Sequence, residues 1–264
     1  YSVDLKDEAE ERRVLEEGLR EALADDLLEL HYQPVVRTED NMVVTFEALI
    51  RWEHPERGTI SPDVFIPIAE ESDLINQLGA WALNRACRDA MAWPKSVRVA
   101  VNVSAAQFAH SDLISIVTDA LDRSGLEADR LELELTESVF MGDGDTIDDI
   151  FRALKELGVR LALDDFGTGY SSLSYLQRFP FDKIKIDRCF VKDIIESAGS
   201  STIVQAVVNI ATVRNMTTTA EGVETEPQRM MLRALGCTDM QGYLISRPVE
   251  AEALARLLQV QGVS

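Results

Sequence analysis

The chain has 264 residues, of which 46% are apolar and 27% charged, the balance of a folded globular chain rather than a disordered one. A formal net charge of -20 excludes groove binding to DNA or RNA polymers, where Lys and Arg must neutralise phosphates. A small anionic ligand fits only if metal ions or a few placed cations offset that field, and no apolar run approaches the roughly 18 residues that cross a bilayer.

Cys87, Cys189 and Cys237 are far apart, with no C-x-x-C spacing to suggest zinc or redox chemistry, so a reducing cytoplasmic setting is the simplest. Tyr1 in place of an initiator Met reads as a fragment of a longer protein or a processed start. The opening stretch from Asp7 to Leu30 reads as one amphipathic helix, with Leu15, Leu19, Leu23 and Leu27 four apart among Glu and Arg. Residues 1–30 are thus expected to be a helix packing on the body of the domain. Connector to a preceding domain and first helix of this one are both open.

From His31 onward β-rich runs alternate with helical segments, the pattern of an α/β fold with a mostly parallel sheet. Eight strands are predicted: His31 to Val36, Met42 to Arg51, Val97 to Val103, Leu131 to Thr136, Val159 to Asp164, Lys183 to Asp187, Met216 to Ala220 and Thr238 to Gly242. Helices are predicted over Asp73 to Met91, Asp112 to Ser124, Thr146 to Leu157, Ser201 to Val213, Glu226 to Leu235 and Ala251 to Gln259. Eight strands suggest a closed (β/α)8 barrel of the TIM type over residues 31–264, with no linker-like run dividing it. Arg37 to Asn41 is too short for a parallel crossover, so one strand near the start should be antiparallel. The strand at Met216 to Ala220 is rich in Thr, and looser packing is expected there.

Leu163-Asp164-Asp165-Phe166-Gly167-Thr168-Gly169 is the most informative segment: two adjacent carboxylates at a strand end, then a turn with two glycines. Paired carboxylates repel and are costly to desolvate, so a fold tolerates them more readily beside a cation. The plainer reading is that Asp165 caps a helix and Asp164 is solvated. Alternation of side chains weighs against it. Leu131, Leu133 and Leu135 fall opposite Glu132 and Glu134; Leu161 and Leu163 opposite Asp164; Ile184 and Ile186 opposite Lys183 and Lys185; Val99 and Val101 opposite Asn102. Four such strands converging at their carboxyl ends point to the active-site end of a β/α barrel. Glu47, Asn102, Glu134 and Asp164 are oxygen donors suited to Mg²⁺ or Mn²⁺, and no histidine joins them, which disfavours a zinc hydrolase. Lys185 reads either as a structural ion pair with Asp187 or another acid, or as a positive charge beside the reacting centre.

These residues fall into spaced motifs. They are Tyr32-Gln33-Pro34, Glu47-Ala48-Leu49-Ile50-Arg51-Trp52, Asn102-Val103-Ser104, Glu134-Leu135-Thr136-Glu137, Asp164 to Leu173, Lys185-Ile186-Asp187, Glu221-Gly222-Val223-Glu224-Thr225 and Gln241-Gly242-Tyr243. Together, from His31 to about Val249, they resemble the EAL domains, a family of cyclic di-GMP phosphodiesterases. The resemblance implies a (β/α)8 barrel with one antiparallel strand and two divalent ions. It makes Glu47, Asn102, Glu134 and Asp164 ligands of the first ion, and Asp165 and Glu221 ligands of the second, with Asp164 shared. Lys185 then matches the catalytic lysine, and Glu224 and Gln241 match positions that complete the site. Gln33 and Arg51 match substrate-binding residues, and Glu137 the acid that anchors the loop after Asp165.

The implied reaction is hydrolysis of one phosphodiester bond of cyclic di-GMP to linear pGpG, with Mg²⁺ or Mn²⁺ activating water and stabilising charge on the attacked phosphate. Ca²⁺, larger and more tolerant of irregular coordination, is expected to occupy the acids and inhibit. The implied partners are cyclic di-GMP, a second copy in a homodimer, and an upstream sensory or GGDEF-type domain, with the Asp7 to Leu30 helix as the mechanical link to the loop after Asp165. Two alternatives stay open: a receptor that binds the nucleotide without cleaving it, and an unrelated Mg²⁺-dependent barrel lyase or isomerase.

Overall fold

A computed structural model of the chain describes residues 4–25, 27–110, 112–141, 144–167 and 173–260. Thr168 to Ser172, the far part of the Asp-Asp-Phe-Gly-Thr-Gly segment, lie outside the described residues. Among the described residues there are ten strands: β1 (Leu28–Arg37), β2 (Val43–His54), β3 (Gly58–Ile60), β4 (Arg98–Val103), β5 (Leu131–Thr136), β6 (Arg160–Phe166), β7 (Lys183–Ile186), β8 (Thr217–Ala220), β9 (Asp239–Gln241) and β10 (Val249–Glu250). Pairing runs β1-β9-β8-β7-β6-β5-β4-β2 and closes through β1–β2, so eight of them form a barrel while β3 and β10 extend its rim.

Strand β1 is antiparallel to both its neighbours, β2 and β9, and the remaining barrel pairs are parallel. The short turn after β1 predicts that reversal. Each of the eight expected strands has its counterpart here, and so does each helix expected after His31. Short helices at Pro62–Glu71, Ala105–His110, Leu173–Arg178 and Arg188–Lys192 are additions that periodicity does not predict. Pro67 lies inside the first of these and cannot donate an N–H, which masks its helical character.

Outward-facing Leu131, Leu133, Leu135, Leu161, Ile184 and Ile186 are buried in the main core beneath the helices. The Thr-rich strand is not loosely packed, contrary to expectation. Thr218 and Thr219 are 2% and 1% exposed, and the Thr218 and Thr238 side chains and backbones bond one another across to the next strand. Threonine's β-branched shape suits the pleat, and the Thr218 hydroxyl finds partners that valine would not need.

The first helix spans Asp4–Ala24 rather than Asp7 to Leu30, because Leu28 already begins β1 and a boundary at residue 30 falls inside that strand. Leu15, Leu19 and Ala22 join Trp52, Phe65, Ile68 and Leu78 in a second core cluster. The helix therefore packs on Pro62–Glu71 and its neighbours.

Inside the barrel Glu132 and Lys183 form an ion pair at 2.7 Å, their side chains 0% and 4% exposed. Arg160 approaches the same carboxylate at 3.6 Å. Such a pair gains little over apolar packing but is costly to halve.

Two stability tests follow from this packing. Leu19→Ala removes a fully buried side chain and should cost about 2–5 kcal/mol in denaturant unfolding, whereas Leu27→Ala should cost less than about 0.5 kcal/mol. Leu19 is 0% and Leu27 39% exposed, so equal effects would contradict the observed burial and the end of the helix before Leu27. Lys183→Met leaves Glu132 buried without its ammonium and should cost about 3–5 kcal/mol, read from the same denaturant midpoints.

Candidate active site

The carboxyl ends of β2, β5, β6, β7 and β8 meet around Lys185. Inward alternation along each strand brings the acids there, since Glu47, Glu134 and Asp164 share the face turned away from the outer helices. The Lys185 Nζ lies 2.6 Å from Glu134 Oε2, 2.7 Å from Glu221 Oε1, 3.0 Å from Asp164 Oδ2 and 3.8 Å from Glu47 Oε1. Its side chain is 2% exposed. Asp187 is not among these partners. Asn102 donates through Nδ2 to Glu47 Oε1 at 2.9 Å.

Simple alternation would send Asp165 outward, away from Asp164. A register irregularity between Leu163 and Phe166 in the β6–β7 pairing prevents this. Asp165 takes the left-handed conformation with φ 53°, a region that Asp tolerates better than most residues, and its N–H donates to Asp164 Oδ1 at 2.9 Å. The bulge re-aims the second carboxylate toward the barrel mouth. As a result Asp164, Asp165 and Glu221 each offer an oxygen within 4.8 Å of the others.

The electrostatics of this cluster are unbalanced. Burial, opposed by its four acidic neighbours, would lower Lys185, yet those acids hold it well above the ordinary lysine value. Burial likewise raises Glu47, but Lys185 and the amides of Gln241 and Asn102 outweigh it and keep Glu47 below the usual carboxylate range. Glu134 goes well above that range through burial and the nearby charges of Glu47 and Asp164, which Lys185 does not offset. Glu221 is pushed up to about 8, chiefly by burial with Asp164 and Glu47 adding to it. Asp165 rises through burial, Asp164 and Asp187. One ammonium cannot neutralise this many buried acids, and a set of hard oxygen donors in that condition fits divalent cations.

Gln241 donates through Nε2 to Glu47 Oε2 at 2.6 Å and to Gln33 Oε1 at 2.9 Å, and Gln33 Nε2 donates to the Ser246 carbonyl at 3.1 Å. Both glutamines are therefore joined to the acidic cluster, at its β1 and β9 side. Arg51 stands apart, bonded to its own Ile50 carbonyl, and lines a cleft of about 530 Å³ together with Asn102, Asp165, Ile66 and Pro67. Burial lowers the Arg51 guanidinium from its ordinary value. Glu137 Oε1 accepts the Gly167 N–H at 3.4 Å, a long contact to the start of the loop that it is expected to anchor.

Glu224 does not join this group. It is exposed, and among the described residues no hydrogen bond or ion pair links its carboxylate to Lys185 or the other acids. Its backbone N–H instead donates to Gln228 Oε1. Gln228 is absent from the sequence-based site, although Thr225 and Gln228 stand three apart, the spacing of a helix capping box. Nothing in the sequence marks Ser246, whose contribution is a backbone carbonyl.

The family model described as EAL domain matches residues 16–248. The chain is 50% identical over 254 residues, 96% of its length, to a protein of Caulobacter vibrioides described as a signaling protein, and covers 31% of it. It is 45% identical over 263 residues, 98% of its length, to "Cyclic di-GMP phosphodiesterase NbdA" of Pseudomonas aeruginosa, and covers 34% of that protein. It therefore spans about a third of the length of these relatives. The solved structure named "PaMucR Phosphodiesterase, c-di-GMP complex" is 45% identical and superposes with a TM-score of 0.86 over 91% of this chain and 99% of that one. With nearly the whole barrel matched by the family model and by relatives of this similarity, the chain belongs to the EAL domain family.

Proposed function

We propose that this barrel hydrolyses one phosphodiester bond of cyclic di-GMP to give linear pGpG, in a reaction that depends on two divalent ions, Mg²⁺ or Mn²⁺. The observation that carries the reading is the buried Lys185 ammonium ringed by Glu134, Asp164 and Glu221 at 2.6–3.0 Å, with Asp165 turned toward the same mouth. Relatives named as cyclic di-GMP phosphodiesterases support the substrate.

On this reading Glu47, Asn102, Glu134 and Asp164 hold the first ion, and Asp165 and Glu221 hold the second with Asp164 shared. The ions, when bound, activate water and stabilise charge on the attacked phosphate. Lys185 adds a fixed positive charge where negative charge grows in the transition state, and its burial strengthens that effect. Arg51 faces the cleft as the phosphate anchor, while Gln241 holds the Glu47 carboxylate and Gln33, bonded to Gln241 and to the Ser246 carbonyl, stands beside it as a substrate contact. Glu137 steadies the start of the loop after Asp165. Glu224, turned to solvent, has no part in this scheme. A second copy of the barrel and a sensory or diguanylate cyclase domain in the same polypeptide are the partners we propose, the latter supported by a relative named as a bifunctional diguanylate cyclase and phosphodiesterase.

The direct test is chromatography of cyclic di-GMP incubated with the chain and Mg²⁺ or Mn²⁺. Linear pGpG is the expected product, with none formed after chelation or with Ca²⁺ alone; binding without cleavage would make the barrel a receptor instead. Glu47→Ala should abolish hydrolysis while circular dichroism stays native, and near-normal turnover at saturating Mg²⁺ would remove Glu47 from the ligand set. Lys185→Ala should lower kcat by about 10²–10³-fold with much less effect on KM, as for other groups acting mainly on the transition state. An equal loss in both constants would mark Lys185 as a binding residue.

A further inference from the structure

Glu221 does not reach the acidic cluster from within a strand. It follows β8, which ends at Ala220, and belongs to the loop running to Thr225. Its N–H donates to the Ile186 carbonyl at 3.1 Å, and mid-loop Val223 is held as well, its N–H donating to the Gln241 carbonyl at 3.0 Å and its carbonyl accepting the Leu244 N–H at 2.9 Å, which leaves the far side at Glu224 and Thr225.

The far side is held by Gln228, which is 7% exposed. Gln228 Oε1 accepts the backbone N–H groups of Glu224 and Thr225, each at 2.9 Å. Gln228 Nε2 donates to the carbonyls of Val191 at 3.2 Å and Lys192 at 3.3 Å. Two donors and two acceptors are the full capacity of a carboxamide, so one buried side chain is completely used in joining two segments. One segment is the Glu221–Thr225 loop. The other is the C-terminal end of the short helix Arg188–Lys192, which follows the strand that carries Lys185.

That helix touches the chain just after each of the two carboxylates, at Gly167 beyond Asp165 and at Gly222 beyond Glu221. Gly222 lies against Arg188 so closely that an added Cβ would come within 2.6 Å of the Arg188 Cβ. Gly167 lies against Phe190, where an added Cβ would sit 2.9 Å from the ring. Both glycines have positive φ, 67° at Gly222 and 99° at Gly167, so at each the chain turns in a conformation that brings it onto the helix.

We propose that Gln228 is a positioning residue for the Asp165–Glu221 cation site: it clamps the Glu221 loop to helix Arg188–Lys192, and the helix sets the spacing between the two carboxylates. The inference rests on the two-ion reading above. Helix capping alone accounts for the bonds to Oε1, because Thr225 and Gln228 form a capping box. It does not account for the two bonds from Nε2 to a different element.

That distinction sets the experiment. Gln228→Glu keeps an acceptor for Glu224 and Thr225 but can no longer donate to Val191 and Lys192. Thr225→Ala removes the hydroxyl of the capping box and leaves the clamp. Mn²⁺ titration by calorimetry, without substrate, is compared for the parent chain and both variants, with thermal melts alongside. The parent should bind two ions. Gln228→Glu should keep one site and bind the other about 10–100-fold more weakly, as when outer partners of metal ligands are lost elsewhere. Thr225→Ala should bind both ions like the parent despite a lower Tm. Phe190→Ala, which loosens the same helix on its Gly167 side, should also weaken one ion and serves if Gln228→Glu does not fold. Parent-like binding in Gln228→Glu and Phe190→Ala, or an equal loss in Thr225→Ala, overturns the clamp. A parent chain that binds no Mn²⁺ overturns the two-ion reading itself, and the clamp with it.

Discussion

A single buried ammonium organises this barrel. Lys185 is 2% exposed and meets carboxylates supplied by β2, β5, β6 and the end of β8. Neither partner type is tolerable there alone, since a desolvated ammonium or carboxylate costs far more than any one contact returns. Closure of the sheet is what brings them together. The acids lie 21 to 51 residues from Lys185 among its hydrogen-bonded partners, and only a barrel places those strand ends on one ring.

Two charged layers inside the barrel illustrate how packing separates structure from chemistry. In the lower one Lys183 and Glu132 pair at 2.7 Å with Arg160 nearby, so cation and anion are nearly matched. In the upper one a single lysine faces several acids, and the surplus raises Glu134 and Glu221 above the ordinary carboxylate range through burial and mutual repulsion. A matched layer stabilises or merely fills the interior. An unmatched layer at the open end is suited to receive further cations, and through them an anion, in a chain whose overall charge of -20 would otherwise repel it.

The N-terminal helix Asp4–Ala24 packs on the domain through its leucine-bearing face. Its buried residues pack in the cluster that holds Phe65 and Ile68 of the helix Pro62–Glu71. Ile66, which also packs against that cluster, and Pro67 of the same helix line the cleft beside Asn102 and Asp165. One short helix, kept in place by burial against the N-terminal helix, thus also forms part of the cleft wall.

Strand periodicity, the short first turn and the spacing of acids at strand ends determined the barrel, its antiparallel strand and most of the cluster, because those signals are local. Glu47, Asn102, Glu134, Asp164 and Lys185 can be placed on one face by counting alternate residues along each strand. Counting fails at Asp165. Its direction depends on a bulge set by pairing with β7, which no count along one strand reveals. It fails again after the strands end, where Glu224 turns out to solvent and Gln228, on the helix beyond, becomes the buried link to another element. The predicted first helix runs too far for a related reason. Leu27 and Leu28 continue a leucine pattern that helix and strand share, and only the pairing of Leu28 with Trp52 assigns it to the sheet.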